Sequence, residues 1–341
     1  MFLMMKAMSV IVTALLLAIP LCLSYAEAIN YNQLRLMAAK HNMTCILVFG
    51  DSTVDPGNNN YLSTPAKSNF LPYGEDFYSG HPTGRFCNGR LTTDFIAEAF
   101  GYTDLVRAFL DPAITRKDLL HGVSFASAAS GYDEFTANLS NALSISKQLD
   151  YFRHYKNHIR NLVGTKESEE IVRNALVILS IGTNDFLLNY YVVPTRSRQY
   201  NIEQYQNYLI SRMKKAIKTL HSLGARKVAV VGLPPFGCMP IVRTLRDDIK
   251  CDAELNQVAV SFNSKIQREL KTLARPSFTS FVEALKGCCG SGTNEYGKTC
   301  KDMSTCSDRT KYVFWDAVHP TERMYKIIAD DALQLILSYM F

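Results

Sequence analysis

The chain has no apolar run long enough to cross a membrane as a helix. Its longest, Met8 to Leu23, falls short of the roughly 20 residues that a span needs and is interrupted by Pro20, so no stable membrane anchor is expected. No internal repeat, block of like charge or Gly/Ser/Pro-rich linker divides the sequence, and residues 29–341 therefore read as a single domain. No Cys-x2-Cys pair and no histidine at ligand spacing is present, which argues against a zinc centre; neither a metal nor a cofactor is called for. Concentrated positive charge is missing too. The formal charge of +6 is spread along the chain, and its densest run, "RMKKAIK" from Arg212, falls on an expected helix as a solvated face. Nothing there calls for a nucleic-acid partner.

What is present begins with an address. Lys6 supplies a positive start, Met8 to Leu23 an apolar stretch, and Ala26-Glu27-Ala28 the small-x-small pattern after which signal peptidase cuts. Residues 1–28 are read as a signal peptide, the mature chain as starting near Ile29, and the destination as extracellular. Asn42-Met43-Thr44 and Asn138-Leu139-Ser140 are acceptor sequons for N-glycosylation. Of nine cysteines, Cys22 leaves with the signal, and six (Cys238, Cys251, Cys288, Cys289, Cys300, Cys306) crowd into the C-terminal part, as disulfides across loops would require. Cys238 and Cys251 are expected to bridge the loop after "GLPPFG". The other four should pair among themselves, in one of three connectivities that sequence does not distinguish. Cys45 and Cys87 are left over as buried thiols.

Short apolar runs alternate with longer helical ones, the pattern of an α/β domain with a parallel sheet. "CILVFG" at 45, "GVSFAS" at 122, "ALVILSIG" at 175 and "KVAVVGL" at 227 are continuous apolar runs, as strands covered on both faces should be. Helices are predicted from Leu91, Ser146, Ile202 and Asp252, three of them closed by a glycine. The architecture is thus a three-layer α/β/α sandwich with a central, mostly parallel, flavodoxin-like sheet.

In such sheets catalytic groups gather beyond the C-terminal ends of the strands. Each of the first three strands delivers a polar cluster there: Gly50-Asp51-Ser52, Ser127 to Gly131, and Gly182-Thr183-Asn184-Asp185. A fourth cluster, "WDAVHPTE" from Trp315, sets Asp316 and His319 three residues apart, on one face if the segment is a helical turn. A serine at a strand end with a histidine and an acid elsewhere is what nucleophilic acyl transfer needs, because a hydroxyl is a poor nucleophile until a base takes its proton. Asp51 and Asp55 should hold the turn around the serine, Asp185 should cap the following helix, and Asn58 to Asn60 suit left-handed backbone.

The blocks "FGDSTVDPGNNN", "FASAASGY", "IGTNDF" and "DAVHP", with "GRFCNGR", "GLPPFGCMP" and "GCCGSG" between them, resemble those of plant-type GDSL esterases/lipases of the SGNH hydrolase family, over nearly the whole mature chain. The resemblance implies Ser52 as nucleophile, His319 as the base that takes its proton and Asp316 as the acid that orients the imidazole. It also implies an oxyanion hole from the backbone N–H groups of Ser52 and Gly131 and the side-chain amide of Asn184. The implied activity is hydrolysis of a small-molecule acyl ester or lipid. Acyl transfer to an alcohol, removal of acetate from a polysaccharide and a weakly active binding role stand as alternatives on the same site. An ordinary α/β-hydrolase would show Gly-x-Ser-x-Gly, which this chain lacks. Thr53 stands where the family name has leucine, and Ala128-Ala129 where the second block often has two glycines. The family also implies a further strand and helical segment after the helix ending near Ala274. Here only the twelve residues from Arg275 to Lys286 precede "GCCGSG", so the fifth strand is expected to be short or missing.

Overall fold

The computed structural model describes residues 30–78, 80–246, 250–270 and 283–340; the expected signal peptide and most of the segment 275–286 lie outside these. Helix α1 (Tyr31–Lys40) leads to β1 (Ile46–Gly50), followed by α2 (Thr92–Phe100), β2 (Arg107–Ala108), β3 (Gly122–Ser124), α3 (Ile145–Val163), α4 (Thr165–Asn174) and β4 (Leu176–Ser180). Then come α5 (Ile202–Ser222), β5 (Lys227–Val231), α6 (Ala253–Leu270), β6 (Glu283–Gly287), β7 (Tyr312–Phe314) and α7 (Glu322–Met340).

Five strands form one wholly parallel sheet in the order β2-β3-β1-β4-β5. The four apolar runs named from sequence supply β1, β3, β4 and β5. The remaining strand, β2, is two residues long and has no periodicity to betray it. Central strands β1 and β4 are matched residue for residue from Ile46 with Leu176 to Gly50 with Ser180, so both end on the same edge of the sheet. Beyond Ser124 the second run keeps climbing alongside β1, with Phe125 N–H donating to Val48 and Ser127 N–H to Gly50. Side chains alternate across the sheet. Leu47 and Phe49 face a core with Phe125, Phe152 and Tyr155, in which the Phe49 and Phe125 rings stack at 4.9 Å, while Ile46 and Val48 face the other way. Helices α3 to α6 pack with one another, and α1, α2 and α7 form a separate group, giving the two outer layers.

Among the described residues no strand joins the outer edge of β5. The end of the short segment becomes β6, which pairs in parallel with β7 in a separate two-stranded ladder. Three disulfides are formed: Cys238–Cys251 as expected, and, of the three open connectivities, Cys288–Cys306 with Cys289–Cys300. Cys45 and Cys87 are buried thiols, and burial pushes the Cys45 thiol up to about 12.

Candidate active site

Gly50 ends β1 against β4 so closely that a Cβ there would lie 2.0 Å from the Ser180 carbonyl oxygen; only glycine fits. Gln148 of α3 clasps the same residue, accepting from Gly50 N–H at 2.9 Å and donating to its carbonyl at 2.9 Å. The chain then turns sharply. Asp51 N–H donates to Ser180, and the Asp51 carboxylate accepts from the N–H and hydroxyl of Thr53 at 3.0 and 2.8 Å. Thr53 Oγ1 also meets Ser180 Oγ at 3.0 Å, so threonine in the place of the family's leucine ties the serine turn to β4.

Two further carboxylates fasten neighbouring loops to this turn. Asp55 accepts from Gly57 and Asn58 N–H and, across the sheet edge, from Ala128 N–H at 3.0 Å. Asp185 accepts from Tyr132 N–H at 2.7 Å, Asp133 N–H at 3.1 Å and the Thr136 hydroxyl at 2.5 Å. Asp185 was expected to cap a helix; instead it opens a π-helical stretch (Asp185–Val192) and binds the loop after β3. That loop passes so near that a Cβ on Gly131 would fall 2.1 Å from Asp185 Oδ1. Burial outweighs these donors and raises Asp51 and Asp55 to about 6 and Asp185 to about 7. Asn58 to Asn60 form a 3-10 turn instead of left-handed backbone. The side chain of Asn58 donates to Ser124 and Ala126 and accepts from Leu110 N–H, and that of Asn59 donates to Ala66 and Ala128. It is Ala129, where the family often has glycine, that takes left-handed backbone, at φ 68°.

The last cluster arrives from the far end of the chain. Residues 315–319 form an open bend, not a helical turn, between β7 and Pro320, and Trp315 N–H donates to the His319 carbonyl at 2.7 Å. The bend folds Asp316 back on itself: its Oδ1 accepts from Val318 and His319 N–H at 2.8 and 2.7 Å. His319 Nδ1 lies 2.8 Å from Asp316 Oδ2, and His319 Nε2 lies 2.9 Å from Ser52 Oγ. With a carboxylate on Nδ1, the ring proton belongs there, and Nε2 is left to accept from the serine hydroxyl. Phe86 covers the imidazole at 4.8 Å between ring centroids. Asp316 is fully buried while Ser52 keeps 8% of its surface, so a reagent meets the serine and not the acid.

Asn184 follows β4 on the same edge, its amide donating to the Ser130 carbonyl at 2.9 Å and keeping a second N–H. Among the described residues, neither Ser52 N–H nor Gly131 N–H donates to any protein acceptor. The structure thus brings together Ser52, His319 and Asp316, and sets Asn184 against the peptide that joins Ser130 to Gly131. Asn42 and Asn138, the two sequon asparagines, are exposed.

A profile of the GDSL-like lipase/acylhydrolase family matches residues 46–332. This chain belongs to that family. Similar proteins include a GDSL esterase/lipase of Arabidopsis thaliana that is 52% identical over 330 residues, covering 91% of this chain and 92% of the relative. A second from the same plant is 42% identical over 311 residues, covering 84% and 89%. As a GDSL esterase/lipase the protein is a carboxylic ester hydrolase, and its substrates are small-molecule esters.

Sequence reading missed one group in direct contact with this constellation. Tyr73, fully buried, donates its hydroxyl to Asp316 Oδ2 at 2.5 Å. Its only sequence signal is an aromatic residue set between Pro72 and Gly74 in a polar loop.

Proposed function

We propose that the protein is a secreted serine esterase whose mature domain, from residue 29, cleaves acyl esters through an acyl-enzyme. Ser52 Oγ attacks the acyl carbon while its proton passes to His319 Nε2. Asp316 holds the ring tautomer and stabilises the imidazolium. The collapsing tetrahedral intermediate expels the alcohol, which takes the proton from Nε2, and water then releases the acid by the same two steps in reverse roles. The oxyanion is received by the N–H groups of Ser52 and Gly131 and the free amide hydrogen of Asn184, a kind of donor worth about 10²–10³ in rate each. The observation that carries this reading is the 2.9 Å approach of His319 Nε2 to Ser52 Oγ, with Asp316 on the opposite ring nitrogen.

Secretion is supported by the N-terminal address and by three disulfides, which persist in an oxidising compartment. Exposed Asn42 and Asn138 are the proposed glycan sites. In the described residues no helix is long and apolar enough to cross a membrane.

The test is covalent labelling. A fluorophosphonate should modify the mature protein on Ser52, and Ser52→Ala should lose both the label and at least about 10³ in hydrolysis of a short-chain p-nitrophenyl ester. A label on another residue, or full turnover in the alanine variant, would overturn the mechanism.

A further inference from the structure

Resting on the reading of Ser52, His319 and Asp316 given above, we infer that Tyr73 is a positioning residue for the hydrolysis: its hydroxyl fixes the Asp316 carboxylate and passes to it the rigidity of the Cys289–Cys300 loop. The hydroxyl is engaged at both ends. It donates to Asp316 Oδ2 at 2.5 Å and accepts from Gly297 N–H at 2.7 Å, which leaves its proton directed at the acid. Gly297, at φ 55°, opens the short 3-10 turn Gly297–Cys300, whose last residue is joined to Cys289. The ring itself is held by edge-on contacts with Phe70, Phe86 and Trp315, at 5.8, 5.8 and 6.3 Å.

The acid needs such a partner because of how the bend is built. The two backbone N–H groups that reach the Asp316 carboxylate, those of Val318 and His319, both bind Oδ1. Among the described residues, apart from the imidazole, Tyr73 is the group that binds Oδ2, the oxygen nearer His319 Nδ1. Without it the carboxylate is free to swing about the Oδ1 side, and Oδ2 keeps its full basicity toward the ring. A misplacement of about 1 Å at such a site can cost about 10²-fold in rate. Burial and the adjacent Asp316 hold the Tyr73 phenol well above its ordinary range, so it stays a donor throughout the working pH.

The test compares Tyr73→Phe, which keeps the ring and its packing, with the unmodified enzyme, counting active sites by fluorophosphonate burst so that any loss of folded material cancels. The expected result is a kcat per site lower by about tenfold, the scale of one hydrogen bond to a charged group. KM should be unchanged, and the acid limb of the pH–rate profile should move to higher pH, because the freed carboxylate favours the imidazolium. A merely structural role would lower the melting temperature and the number of sites while leaving kcat per site and the profile where they were; that outcome overturns the inference. If Tyr73→Phe does not accumulate folded, the Cys289→Ala/Cys300→Ala pair loosens Gly297 from the other side and must lower kcat per site in the same direction. Unchanged turnover per site in that pair likewise overturns it. Ser52→Ala run alongside separates the two levels: activity surviving there rejects the serine mechanism itself, whereas activity lost there but retained in Tyr73→Phe rejects the role of Tyr73 alone.

Discussion

The two halves of the site are held in place by different means. The serine half grows directly out of the five-stranded sheet, and its loops are fastened by buried side chains reaching backbone: Asp51, Asp55, Asn58, Asn59, Gln148 and Asp185, with no covalent link among them. The histidine half, from Glu283 to Pro320, has a two-stranded ladder that, among the described residues, does not join the sheet. It is held by two disulfides, by Tyr73 and by fully buried Trp315. Strand ends already fixed by ladder hydrogen bonds need only non-covalent clasps to set a loop between them. A long irregular segment loses far more chain entropy when ordered, and cross-links lower that cost by restricting the unfolded chain.

The contrast can be broken from either side. Cys288→Ala/Cys306→Ala should have the largest effect, a loss of about 2–5 kcal/mol felt first in the histidine half. Ester hydrolysis should disappear at temperatures where far-UV circular dichroism still reports the helices packed on the sheet. Simultaneous loss of both signals would show that the halves are one cooperative unit. Asp55→Ala attacks the other half by leaving three buried N–H groups without an acceptor. A global loss of about 3 kcal/mol is expected, seen as a lower melting temperature with activity and helical signal falling together. A melting curve superimposable on the wild type would refute the clasp.

A third effect is confined to the serine half, because its buried carboxyls titrate. Asp51, Asp55 and Asp185 are raised from the usual 3.8 to about 6, 6 and 7, so the folded protein keeps protons that the unfolded chain releases. Their contribution to stability is complete below about pH 4 and is lost as pH rises through 6 and 7. Melting temperatures measured from pH 5 to 7.5 should carry this downward slope, and Asp185→Asn, which cannot ionise, should flatten it; equal slopes would contradict the assignment. The smallest effect sharpens the comparison at one backbone position. Ala129→Gly removes the cost of left-handed backbone at φ 68° and should stabilise the fold by about 0.5–1 kcal/mol, measured as a small rise in urea midpoint.

The same division governs what could be read from the sequence. Strands buried on both faces are continuous apolar runs, so β1, β3, β4 and β5 were legible, as were the polar clusters they deliver and the Asp316–His319 pair. Arg107–Ala108 is too short to carry a pattern. Asp185 has the composition of a helix cap, and only the path of a loop some fifty residues earlier decides that it binds Tyr132, Asp133 and Thr136 instead. The pairing of Cys288 with Cys306, and not with Cys300, is set by how the loops cross, about which adjacent cysteines say nothing. Tyr73 and Asp316 are separated by 243 residues, and no local rule relates them.

The proposed nucleophile and base lie far apart along the chain, which sets the order in which they are made. Ser52 emerges from the ribosome 267 residues before His319, and the sheet that carries it is complete once β5 has been made. In the proposed mechanism a chain that stops short of His319 therefore carries the nucleophile without the base that activates it.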